Sequence, residues 1–145
     1  MKKSHGKIFI EYFELWRKRL KIKEIPISRD NRLNCTACVV EDKELRYNSR
    51  ILGQSSIPII ISDALHELGH LIHKYPYGTE ANKIISEYEA EKFAVKIMKQ
   101  YYQKELKDVI IWMKRKLLKK NHKYWKSLPE HYEAFRMIEE YKDKD

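Results

Sequence analysis

His66-Glu67-Leu68-Gly69-His70 sets two imidazoles four residues apart with an acid between them. On a helix that spacing stacks both rings on one face, where their nitrogens can reach a single metal ion. Glu67 lies about 100° further round and cannot bind from that face, but its carboxylate can reach a water on the ion. Zinc in such a place lowers the pKa of its water towards 7. Glu67 can then act as general base while the hydroxide attacks a polarised carbonyl, and can return the proton to the leaving amine. The chemistry so described is peptide-bond hydrolysis. Composition alone would place an H-E-x-x-H string somewhere in this chain with a probability of about 2%. The competing account is a pair of core histidines satisfied within a helical bundle.

A catalytic zinc site needs a third protein ligand and one open position. From His70 to Tyr75 the helix runs about 7 Å outward, and an antiparallel helix from Thr79 returns about 12 Å by Glu87, level with the histidines. Glu87 is therefore the candidate third ligand, with Glu91 or Glu80 as alternatives. Glu91, one turn beyond Glu87 on the same face, is placed to accept from a ligand imidazole and fix its tautomer. Glu89 points about 200° away from Glu87 and is expected in solvent.

These residues need elements to hold them. Ile8, Phe9, Tyr12, Phe13, Trp16 and Leu20 recur at helical spacing, which gives a first amphipathic helix within about residues 1–24. Pro26 stops it. Leu33 to Val40 and Leu45 to Leu52, separated by Glu41-Asp42-Lys43-Glu44, read as a hairpin in a small antiparallel sheet of two or three strands. Ser55 or Ser56 caps the metal-binding helix, with Pro58 in its first turn, and that helix is expected to reach Tyr75. After the turn Tyr75-Pro76-Tyr77-Gly78, Thr79 caps the glutamate helix, whose packing face carries Ala90, Phe93, Ala94, Ile97, Met98 and Tyr101. Residues 106–145 form a helical extension: Leu106 to Leu118, then a short helix opened by Pro129 that holds Tyr132, Phe135 and Ile138. The expectation is one α+β domain over residues 1–145, mostly helical.

HELGH followed by Glu87-Tyr-Glu-Ala-Glu91-Lys-Phe-Ala94 resembles the gluzincin metallopeptidases, among them the compact minigluzincins and the ImmA/IrrE-like peptidases. The likeness covers about Ile51 to Met98. It implies Glu87 as metal ligand, Ala90 as the small residue after it, and Glu91 where the pattern usually has Asp or Asn. It also implies a small sheet before the metal helix, whose edge strand holds a protein or peptide substrate in extended form.

Thirty Lys and Arg against 21 Asp and Glu give a net charge of +9, which favours acidic partners. Only 8 of the 30 are Arg and no nucleic-acid motif accompanies them, so a solvated Lys-rich surface is the simpler account. Nucleic acid is not excluded, because Lys114 to Lys126 gathers seven cations beside Trp112 and Trp125. The rival to a peptidase is accordingly a non-catalytic regulatory or nucleic-acid-binding helical protein with a structural metal or none. The apolar run Ile57 to Ile61 falls far short of the roughly 20 residues of a membrane span, and Glu11 and Glu14 spoil a secretory leader. The expected setting is cytoplasmic, without a membrane. Cys35 and Cys38 are too few for a disulfide framework, and read as ordinary thiols at a strand edge or as a means of blocking the metal's open position. His73 is expected at the surface or behind the ligands. Tyr75, Tyr77, His122 and His131 are the candidates to stabilise an oxyanion.

Overall fold

The computed structural model describes residues 3–74 and 79–118. Helix α1 spans His5–Arg19, strands β1, β2 and β3 span Ile27–Arg29, Ala37–Val40 and Glu44–Tyr47, and a short helix α2 spans Ser49–Gly53. Helices α3, α4 and α5 follow over Ile57–Ile72, Glu80–Tyr101 and Gln103–Leu118. The chain is thus α+β and mostly helical, with a small sheet ahead of α3.

Helix α3 is the centre of the molecule. Its Ile60, Ile61, Ala64, Leu65 and Leu68 are essentially inaccessible to water, because α1, α4, α5 and β2 all pack against it. Helix α1 presents Phe9, Phe13 and Trp16, spaced by four and three residues, to this core. It begins at His5 rather than Ile8, since the Ser4 hydroxyl accepts from Lys7 N–H and supplies the cap. Trp16 is the last buried apolar group of α1, and its Nε1–H donates to the Tyr102 hydroxyl at 2.9 Å, joining α1 to the α4–α5 junction. Replacing Tyr102 by Phe leaves the indole N–H without that acceptor. We expect a loss of about 1 kcal/mol in urea unfolding.

The sheet is mixed, not wholly antiparallel. Strand β3 lies in the middle, antiparallel to β2 and parallel to β1, with Ile27 opposite Leu45 and Val39 opposite Leu45 on the other side. The polar segment between β2 and β3 does turn the chain, with Glu41 and Asp42 both at positive φ, the backbone hand that suits a tight hairpin. The strands are shorter than expected because Asn48 ends the second one. Its side-chain oxygen accepts from Arg50 and Ile51 N–H, and its amide donates to Leu33 O. The first group of contacts converts residues 49–53 from strand to helix. The last holds the approach to β2 in an irregular path.

Ser56 occupies the N-cap position of α3 but makes no side-chain cap bond, and Pro58 sits in the first turn. Helix α3 ends at Ile72, three residues short of Tyr75, where His73 leaves helical geometry (φ −100°, ψ 82°) and closes the last bond onto Gly69 O. Thr79 caps α4 as expected, its hydroxyl accepting from Asn82 N–H. Ala90, Ala94 and Met98 are buried on α4's inner face, whereas Tyr101, expected with them, is 53% exposed and stands edge-to-face with Trp16. Helix α5 starts at Gln103, slightly ahead of Leu106. The helix expected after Pro129, most of the Lys114–Lys126 run, and the oxyanion candidates Tyr75, Tyr77, His122 and His131 lie outside the described residues. Among the described residues no helix is long and apolar enough to cross a membrane.

Candidate metal centre

Helices α3 and α4 run side by side, and the level of their closest approach is set by two small residues. A Cβ placed on Gly69 would stand 2.8 Å from the Ala90 Cα, 3.1 Å from its O and 3.3 Å from its Cβ. Gly69 lies between the two histidines of α3, and Ala90 between the two acids of α4. Backbone contact here brings His66, His70 and Glu87 onto a common point, with Glu91 behind the His66 ring.

His66 Nε2 and His70 Nε2 are 2.9 Å apart. Glu87 reaches both, Oε2 to His66 Nε2 at 2.9 Å and Oε1 to His70 Nε2 at 3.2 Å. On the far side of the first ring, His66 Nδ1 lies 2.6 Å from Glu91 Oε1. An ionised carboxylate can only accept, so its charge favours a proton on Nδ1 and leaves Nε2 facing Glu87 and His70. His70 Nδ1 is likewise engaged, by the Ser86 hydroxyl at 3.1 Å. Lone pairs and a carboxylate meeting at one place require a positive charge between them, whether proton or metal ion.

The electrostatics agree. Burial alone would lower the pKa of His66, but the charges of Glu91 and Glu87 and their hydrogen bonds outweigh it and carry the ring well above the usual imidazole range. His66, Glu67 and Glu91 are each only 6% exposed, so water screens this field weakly. The candidate ligand atoms of His66, Glu67 and His70 all lie within 4.8 Å of one another, a group able to hold a metal ion.

Glu67 occupies the place its helical angle gives it, beside the imidazoles. Burial holds its carboxyl above the ordinary carboxylate range, against the lowering effect of His70 and His66. Its Oε2 accepts from Val39 N–H of β2 at 2.9 Å. Asp63, one turn earlier on α3, is pushed up to about 7 by burial, although a hydrogen bond with Thr36 pulls the other way.

Of the remaining candidates, His73 packs edge-on against Phe93, ring centres 6.3 Å apart, away from the paired imidazoles. Glu89 is partly covered rather than fully solvated, and Glu80 has no described side chain. Cys35 and Cys38 are free thiols. Burial pushes Cys35 up to about 12 and also raises Cys38, with the Glu67 charge acting in the same direction on both. Burial thus disfavours the thiolate form in the metal-free protein.

Sequence reasoning missed three participants. Ser86 directly precedes Glu87, and its place on the α4 face could have been read from the same periodicity. Asp63 is three residues before His66 and four before Glu67, again a helical spacing. Val39 acts through its backbone and carries no side-chain signal. No family model, no curated protein and no solved structure matches this chain.

Proposed function

We propose that this chain is a zinc-dependent metallopeptidase of the gluzincin type. The observation that carries the reading is the convergence of His66 Nε2, His70 Nε2 and the Glu87 carboxylate, with donor separations of 2.9–3.2 Å. Zinc holds nitrogen and carboxylate oxygen at about 2.0–2.2 Å in a tetrahedron, which puts neighbouring donors about 3.3 Å apart. The three donors therefore need to relax by only a few tenths of an ångström. Two neutral imidazoles and one carboxylate suit zinc, and three protein ligands leave a fourth corner for solvent.

Bound zinc supplies Lewis acidity and a water whose pKa falls towards 7. The residues supply the rest. Glu67 would serve as the base that holds a proton during attack and returns it to the leaving nitrogen, Glu91 and Ser86 would orient the two imidazoles, and the core around α3 keeps bulk water from behind the site. A protein or peptide is the substrate in this reading.

The test is mass-spectrometric profiling of a peptide library with the zinc-loaded protein, the chelated protein, and the chelated protein returned to zinc. Cleavage that disappears and returns with the metal supports a peptidase. A protein that retains zinc yet cuts nothing across the library would favour the rival, a non-catalytic domain with a structural metal. The contact between His66 Nδ1 and Glu91 makes a separate prediction. Glu91→Ala is expected to weaken zinc binding about 10–100-fold, as measured by competition with a chromophoric chelator, because the ring loses the partner that fixes its tautomer.

A further inference from the structure

Strand β2 is an edge of the sheet, since β3 lies between it and β1. Such an edge normally turns alternate N–H and C=O groups outward. The parity of β2 can be read from its neighbours. Asn48 N–H closes on Thr36 O at 2.8 Å, so Thr36 faces β3. Leu45 N–H donates to Pro26 O on the β1 side at 2.9 Å, so Val39 opposite it has no claim on β3. Ala37 and Val39 therefore direct their backbone groups away from the sheet. The Val39 N–H meets Glu67 Oε2 at 2.9 Å.

We propose that the Val39 backbone N–H is a positioning group for the general base. A glutamate side chain has three rotatable bonds, and the hydrogen bond given for this carboxylate comes from β2 rather than from its own helix. One hydrogen bond from a strand that packs on α3 ties Oε2 down, and in the proposed mechanism the second oxygen is then the one that exchanges a proton. The N–H that holds the acid is also withdrawn from any ligand strand laid along β2. A peptide pairing with this edge must then use the remaining outward groups of Ala37 and Val39. The role assigned to Val39 rests on the peptidase reading, whereas the hydrogen bond itself does not.

The test has two arms. In ¹⁵N-labelled, metal-free protein, amide exchange at Val39 is expected to be at least about tenfold slower in the wild type than in Glu67→Ala, with Leu45 as an unchanged internal reference. Free exchange at Val39 in the wild type would overturn the contact and the proposal with it. In the zinc-loaded enzyme, Val39→Pro removes the N–H, puts the ring Cδ where it met Glu67 Oε2 and trims a side chain packed on the core, while leaving the pairing of β2 with β3 intact. We expect kcat to fall about 100-fold with KM within about twofold and zinc retained, while Val39→Ala, which keeps the N–H, stays near wild type. A folded, zinc-loaded Val39→Pro protein with wild-type kcat would refute the positioning role. Should the proline variant not fold, an amide-to-ester replacement at residue 39 removes the same hydrogen without restricting φ, and is read by the same criteria. A wild type that cleaves no peptide would remove the catalytic half together with the peptidase reading, and the exchange arm would still decide the contact.

Discussion

Glu67→Gln is expected to bind one zinc ion with near wild-type affinity and to hydrolyse peptides about a thousandfold more slowly. The substitution preserves shape and volume at a position that is 6% exposed, and the glutamine oxygen can still accept from Val39 N–H. What it cannot do is take a proton. General-base assistance typically contributes 10²–10⁴-fold, and in the proposed mechanism the same group serves both the attack and the departure of the amine. Since the lost interaction belongs to the transition state, the fall should appear in kcat with KM little changed. Metal content by atomic spectroscopy and steady-state kinetics on one cleaved peptide from the library are sufficient. A variant that keeps zinc and full activity would remove Glu67 from the mechanism, and one that loses zinc would mean that the acid holds the metal rather than the proton.

The site was far more legible than the sheet, for a physical reason. The positions of His66, His70, Glu87 and Glu91 follow from the period of one helix and the return of a second. Both quantities are local, and the contacts of His66 with Glu87 and Glu91 lie where that arithmetic puts them. Core positions such as Phe9, Phe13 and Trp16 follow from the same period. The pairing of β1 with β3 is different, because it joins Ile27 to Leu45 across the intervening β2 segment and nothing in three residues of strand announces its partner. The strand-to-helix change at Asn48 depends on a side chain that serves as cap and loop anchor together. Val39 lies at the far end of this scale. Its contribution is a backbone hydrogen whose direction depends on the register of the whole sheet, so any residue but proline would read the same.

Gly69→Ala is expected to damage the protein more than a one-methyl change in a helix ordinarily would, and to damage the metal site most of all. In isolation the substitution favours the helix by about 1 kcal/mol. Here the new Cβ would stand 2.8 Å from Ala90 Cα, and an ordinary contact begins at about 3.4 Å, so the two backbones must part by about 0.6 Å. The obstacle is backbone on a packed helix, which cannot swing aside as a side chain can. Overpacking of this kind costs about 1–3 kcal/mol, enough to cancel the propensity gain and leave a net loss in urea unfolding. The displacement falls between the imidazoles of α3 and the carboxylates of α4. Metal–ligand distances tolerate only about ±0.2 Å, so zinc affinity is expected to drop by at least about 100-fold, ahead of any global unfolding. Chelator competition at a temperature where the variant is still folded by circular dichroism separates the two effects. Unchanged affinity with unchanged stability would show that α3 and α4 are not held apart by this contact, and that the convergence of His66, His70 and Glu87 does not depend on it.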